Sequence, residues 1–244
     1  MGYKDHPQFW QKQQPRVVGD VLNRPYAIEL LGDIRSKTVW EVGCGTGYVA
    51  RLLAKNGALV YGCDREESML ALAVKEEALG IRYSLQDITS TDYEDQFFDA
   101  VLCVGVLIHN SQGKIKKFLE EAYRTLKPSS PLVIGVTHPV LFAPGSPSRS
   151  GKRCWVQHRP LEDKPYSYFE SQMFREDYYD KDGDCFTSSV YSHPVSAYVN
   201  LPIRAGFRLT EVKEISFPKE LTSEGWGMAY GYPAFIHLKF VKPT

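Results

Sequence analysis

Two apolar periods alternate along the first half of the chain. Short runs of β-branched and aromatic residues mark strands at Val39–Val42, Ala58–Cys63, Ile81–Leu85, Phe97–Val104 and Leu132–Val136. Between them Tyr48–Asn56, Glu66–Leu79 and Lys114–Leu126 carry helical spacing. In the last of these, Ile115, Phe118, Leu119, Ala122 and Leu126 fall on one face. Strands alternating with helices predict an α/β fold with a parallel sheet. The rhythm returns late in the chain, with a helix over Val195–Arg204 and strands over Phe207–Ile215 and Ala234–Val241.

Two stretches break the pattern. Residues 1–36 are polar and mostly helical by pattern, interrupted by Pro7, Pro15 and Pro25. They read as one or two helices, either packed plainly on the sheet or lying over its ligand edge. Residues 144–192 form a long excursion with nine aromatics, and a loop of this length in a compact domain is expected to have a role. Asp182-Gly183-Asp184 reads as a hairpin turn within it. The segment is expected to be an antiparallel cap over a substrate, or else a dimer interface. Pro218–Pro233 is a glycine- and aromatic-rich loop containing Trp226.

The richest chemistry follows the first strand. Glu41, Gly43, Gly45 and Gly47 give the pattern E-x-G-x-G-x-G just before a helix. Glycine lets a ligand lie against bare backbone, and a helix start offers unpaired N–H groups. A dinucleotide fingerprint would need a third glycine where Tyr48 stands, and a Walker loop would need a lysine. A carboxylate at Glu41 suits a ligand ammonium instead. Asp64 ends the second strand, where an acid accepts from ribose hydroxyls or caps the following helix.

Composition narrows the options further. Acidic and basic residues balance at 29 each, so no strong field gathers nucleic acid or an anionic membrane. The five cysteines form no C-x-x-C pair, and no metal is expected. No signal region or membrane-length apolar run appears, so a cytoplasmic protein is expected.

Taken together, several motifs resemble the class I S-adenosylmethionine (SAM) dependent methyltransferases. These are the Glu41 glycine turn, Asp64, Gln86-Asp87-Ile88, the F-D-x-V of Phe98–Val101, and the helix–Leu126-Lys127-Pro128–strand unit. They span residues 37–137. The turn Thr137-His138-Pro139, the pair Tyr168-Phe169 and Ala205-Gly206-Phe207 further resemble bacterial small-molecule methyltransferases. The resemblance implies one domain over residues 1–244, a Rossmann-like doubly wound sheet of seven mostly parallel strands. Its last strand would be antiparallel, with a cap of about residues 145–192 inserted after strand five.

The resemblance also implies a site. SAM would be held by Glu41, Gly43, Cys44, Gly45, Gly47, Asp64, Arg65, Asp87, Ile88, Cys103 and Val104, and S-adenosylhomocysteine (SAH) would be the product. The acceptor would be a small molecule attacking through O or N, with no nucleic-acid or membrane partner, and the protein a monomer or homodimer. Histidine suits a base at neutral pH. His138, leaving strand five, is the first candidate and His109 the second, though His138 can equally be a turn residue. Trp155, Tyr166, Tyr168 and Trp226 are candidate acceptor contacts. Two other readings stay open: a nicotinamide oxidoreductase, and a non-catalytic SAM-binding scaffold.

Overall fold

In the computed structural model, residues 7–13, 19–76, 79–143, 155–161, 165–179, 185–216 and 231–244 are described. The strands are Thr38–Val42 (β1), Leu59–Asp64 (β2), Arg82–Leu85 (β3), Ala100–Val104 (β4), Pro131–Thr137 (β5), Trp155–Pro160 (β6), Gln172–Tyr179 (β7), Cys185–Ser192 (β8), Arg208–Ser216 (β9) and Pro233–Val241 (β10). The helices are Pro7–Gln13 (α1), Arg24–Leu31 (α2), Tyr48–Lys55 (α3), Glu67–Lys75 (α4), Gln112–Thr125 (α5) and Val195–Arg204 (α6).

Seven strands form one sheet in the order β3-β2-β1-β4-β5-β10-β9. The first five run parallel, and β10 is antiparallel to both its neighbours. This is the expected architecture, including the reversed last strand. Burial explains why β1 needs apolar residues at nearly every position, since helices cover both faces. Trp40 and Val42 pack with Phe118, Leu119 and Ala122 of α5 on one face. Val39 packs with Val49, Ala50 and Leu53 of α3 and Leu30 and Leu31 of α2 on the other.

Element ends differ from the sequence pattern where side chains intervene. β4 starts at Ala100 rather than Phe97. The N–H groups of Phe97 and Phe98 both bond the Thr125 carbonyl, and the Asp99 carboxylate accepts from the Thr38 N–H and Lys127 Nζ. Those bonds tie Phe97 and Phe98 to the end of α5 and Asp99 to the start of β1 and to Lys127. The helix after β2 begins at Glu67 with Glu66 as its N-cap, not Asp64, and it ends at Lys75 rather than Leu79.

The N-terminal segment packs on the sheet at β5 and β10. A π-helical turn, Gly19–Asn23, leads into α2. The Asn23 side chain meets Nε2 of His237 on β10 at 2.7 Å, directly above Gly135 of β5. A Cβ on Gly135 would stand 2.8 Å from Asn23 Oδ1 and 3.0 Å from His237 Cδ2. Gly135→Ala is therefore expected to destabilise the fold by about 1–3 kcal/mol through overpacking. A urea midpoint equal to wild type would refute this. Farther out, Phe9 of α1 stacks on Phe186 of β8 at 5.9 Å, and the Gln11 amide donates to Glu76 beyond α4. α1 thus bridges from the sheet domain to the inserted segment.

That insert is a three-stranded antiparallel sheet, β6-β7-β8. Tyr179 pairs with Cys185 at the hairpin end, while the turn expected at Asp182-Gly183-Asp184 lies outside the described residues. β8 shows strict alternation, burying Phe186, Ser188, Val190 and Ser192 toward the main domain.

Candidate functional site

The glycine turn is shaped by left-handed backbone. Gly43, Gly45 and Gly47 have φ of +64°, +55° and +77°. At Gly43 a Cβ would lie 2.6 Å from Val106, and at Gly47 it would run into the Tyr83 hydroxyl, so these two positions exclude other residues by space as well as by conformation. Asp64 ties the turn down. Its Oδ2 accepts the Gly45 N–H at 2.8 Å and its Oδ1 accepts the Glu66 N–H at 2.9 Å. Burial raises the Asp64 pKa against the pull of those two donors. Each carboxylate oxygen has a second lone pair beyond the one used in these bonds.

Glu41 lies behind the same turn and is buried. Its Oε2 has no hydrogen-bond partner. Burial pushes its pKa up to about 8, with the Arg24 guanidinium pulling it down and the Asp64 charge pushing it up. An orphaned carboxylate oxygen beside a bare glycine cradle fits a ligand that brings an ammonium group. Asp20 and Arg24 form an ion pair in the N-terminal segment, and the guanidinium sits 5.5 Å over the Tyr48 ring. That Arg24 comes near Glu41 was not expected from the sequence. The one signal was an Asp and an Arg at i, i+4 in an otherwise apolar stretch.

The remaining cofactor candidates behave differently from one another. Asp87 is exposed beyond β3, and its Oδ1 accepts the Thr89 N–H and hydroxyl at 2.9 and 2.8 Å. Burial raises its pKa, but the Thr89 bonds outweigh this and hold it below the usual carboxylate range. Ile88 packs into the core beside Trp40 and Cys63. Arg65 pairs with Glu66 at 3.3 Å. The Cys44 and Cys103 thiols are buried, and burial raises both pKa values. The Cys103 side chain belongs to the core, so a ligand would meet only its backbone, whereas Val104 is half-buried at the strand end.

The histidines separate clearly. His138 caps the turn Pro139–Phe142 through Nδ1, which accepts the Val140 N–H at 3.2 Å. Its Nε2 must then carry the proton, donated to Glu214 Oε1 of β9 at 2.8 Å. With both nitrogens engaged, the geometry does not favour the role of base expected for His138. His109 ends a 3₁₀ turn, Leu107–His109, after β4. Its Nδ1 faces the Ser189 carbonyl of β8 at 3.2 Å, and burial lowers its pKa despite the nearby Glu176 charge. It therefore sits where the insert meets the carboxyl end of β4.

Among the aromatic candidates, Tyr166 packs on Phe174 at 6.2 Å and Tyr168 lies edge-on to Phe169 at 5.6 Å. Trp155 opens β6, with its backbone opposite Tyr179, but its side chain and all of Trp226 lie outside the description.

This arrangement has relatives. Residues 39–129 match the family model described as methyltransferase domain. Over these residues the chain is similar to methyltransferase domains.

The chain is 38% identical over 79 residues to the ubiquinone biosynthesis O-methyltransferase of Coxiella burnetii, covering 31% of this chain and 34% of that enzyme. It is 36% identical over 124 residues to the demethylmenaquinone methyltransferase of Tropheryma whipplei, covering 49% of this chain and 50% of that one. The chain thus spans about a third to a half of the curated relatives it matches. In three dimensions it is similar to an S-adenosylmethionine-dependent methyltransferase of Clostridium acetobutylicum, with a TM-score of 0.71 at 10% identity, over 98% of this chain and 100% of that one. That likeness concerns the fold. The methyltransferase-domain match ends at residue 129, so His138, the three-stranded insert, β9 and β10 lie beyond it. The sheet order also departs from the 3-2-1-4-5-6 order of dinucleotide-binding folds, against the nicotinamide reading. Among the described residues no helix is long and apolar enough to cross a membrane.

Proposed function

We propose that the protein transfers the methyl group of SAM to a small-molecule acceptor held between the sheet domain and the β6-β7-β8 insert. The observation that carries this reading is the buried, unpartnered Oε2 of Glu41 beside the glycine turn. Glu41 takes the ammonium of SAM, and the Arg24 guanidinium is near enough to shape the same charged end. Asp64 accepts from the ribose hydroxyls, Asp87 from the adenine amino group, and the glycine turn with Cys44 lies against the cofactor through its backbone. Arg65, Ile88 and Val104 border the nucleoside. SAM supplies an activated methyl, and its loss leaves neutral SAH. The chain must align the acceptor, exclude water and take a proton. His109 borders the acceptor end. The two curated relatives, one named for ubiquinone biosynthesis and one for demethylmenaquinone, support a cyclic small-molecule acceptor. Tyr166, Tyr168, Trp155 and Trp226 are proposed to wall it in. The unpaired thiols of Cys44, Cys63, Cys103 and Cys185 support a reducing compartment such as the cytoplasm.

Binding should be linked to protons. With its pKa near 8, Glu41 is protonated in the ligand-free protein at neutral pH, and an ammonium ligand favours its carboxylate form. Titration calorimetry with SAH should therefore show proton release below about pH 8, and affinity rising with pH from about 6 to 8. In the ligand-free state the sign is opposite for stability. The folded chain holds this proton above the ordinary value of 4.5, so Glu41 makes folding less favourable as pH climbs toward about 8. Glu41→Gln should flatten both slopes. No SAH binding, or binding without proton release, would refute the assignment.

A further inference from the structure

The insert carries a polar row that the cofactor site does not use. His158 of β6, Glu176 of β7 and Ser188 of β8 stand directly opposite one another across the three strands. Their neighbours along the same face, Phe174, Phe186 and Val190, are buried and apolar. Glu176 itself is fully buried, at 0% exposure. Its Oε1 lies 2.9 Å from His158 Nε2, and its Oε2 is 3.5 Å from the Ser188 hydroxyl. A buried carboxylate is strongly unfavourable unless paired, and apolar residues would fill the same space without that cost.

The position of this row matters more than its burial. The Phe142 ring covers the His158 imidazole at 4.2 Å, and Phe142 ends the turn that leaves β5. His109, on the turn leaving β4, contacts the Ser189 carbonyl next to Ser188 and feels the charge of Glu176. The row is thus wedged against both loops that leave the carboxyl ends of the central strands, where ligands of open α/β sheets bind. A carboxylate accepts only, so Nε2–H of His158 donates to Glu176 and the imidazole lone pair is on Nδ1. This is the carboxylate–imidazole order that readies a histidine to take a proton.

Resting on the methyltransferase reading above, we infer that His158, positioned by Glu176, is the proton acceptor of the reaction, and that the acceptor is an acidic hydroxyl, phenolic or enolic. The hydroxyl oxygen forms a bond to the methyl carbon. The carbon–sulfur bond breaks, and its electron pair stays on sulfur as the neutral thioether of SAH. The hydroxyl proton passes to Nδ1 of His158, and the resulting imidazolium is stabilised by the Glu176 carboxylate. Acidity separates the hydroxyl acceptors from one another. Phenols and enols give up a proton far more readily than aliphatic alcohols, so an imidazole base suits the acidic hydroxyls. Glu176 is engaged by His158 and Ser188, so the row offers an imidazole rather than a carboxylate to the acceptor, which suits a neutral hydroxyl better than an ammonium.

The test uses the full chain with methyl-labelled SAM and a defined panel of phenols, enolic diketones, amines and thiols. Label should appear in phenol or enol ethers. His158→Gln should lower that kcat by about two to four powers of ten, the usual worth of a positioned base, with SAH affinity unchanged by calorimetry. Glu176→Gln should lower kcat with KM nearly constant, a split that a purely structural role would not give. Unchanged SAH affinity also reports that both variants fold. A positioning loss that moves KM and kcat together, label only in amines or thiols, no label in any panel member, or full activity in His158→Gln would each overturn the inference. Failure of the wild-type chain to bind SAH would instead overturn the methyltransferase reading on which it rests.

Discussion

Asp64→Ala is expected to lower SAM and SAH affinity by about a hundredfold or more. In the structure the Asp64 carboxylate does two jobs at once. It accepts the Gly45 and Glu66 N–H groups at 2.8 and 2.9 Å, which fixes the glycine turn against the end of β2. Its remaining lone pairs are those proposed for the ribose. Hydrogen bonds to a charged group contribute about 1.5–3 kcal/mol each, and a tenfold change in affinity corresponds to about 1.4 kcal/mol. Losing the ribose contacts alone therefore accounts for the predicted drop, and loosening the turn adds to it. Calorimetry with SAH measures the first effect. Melting of the ligand-free protein measures the second, which should be smaller because the turn is at the surface end of β1 and the core beneath it is intact. An Asp64→Ala protein with wild-type SAH affinity would remove the nucleoside site from this turn.

Trp40→Ala should be the most destabilising single substitution on the sheet, by about 3–5 kcal/mol. Trp40 is fully buried in β1. Its ring is stacked on Phe98 at 5.6 Å with 24° between planes, and the edges of Tyr93 and Phe118 meet it at 5.5 and 6.0 Å. Its indole N–H points at Cys63 Sγ at 3.1 Å, so even its one polar atom has a partner inside the core. Truncation removes the largest fully buried side chain among the described residues and leaves a cavity lined by the rings of Tyr93 and Phe98, from the segment before β4, and of Phe118 on α5, which closes only by moving several elements at once. A urea unfolding curve is the direct measurement. A loss below about 1 kcal/mol would mean that the aromatic cluster repacks, and that Trp40 is not its centre.

The alternating apolar periods were enough to predict the α/β architecture, because each strand and each helix face is a local pattern that only one layered arrangement buries. The E-x-G-x-G-x-G turn was equally legible. Its requirement for left-handed backbone is written in the glycines themselves, and Glu41 and Asp64 sit at fixed distances along the chain from them. The insert was visible as a break in the rhythm and an excess of aromatics, but not its strand pairing.

What the sequence could not determine was which histidine meets what. His138 reads as a candidate base from its place after strand five, yet its imidazole is spent on Val140 and on Glu214, a residue 76 positions away on β9. His158 carries no motif, and Glu176 looks like any solvated acid in a charged stretch. They become a pair only because β6 and β7 run antiparallel in a register that sets them opposite, against loops from β4 and β5. Arg24, paired with Asp20, likewise comes near Glu41 only through the packing of α2 on the sheet. Local periodicity specifies which residues are buried and which turns are possible. The partners of a buried polar side chain come from long-range register and docking, and those are properties of the folded chain alone.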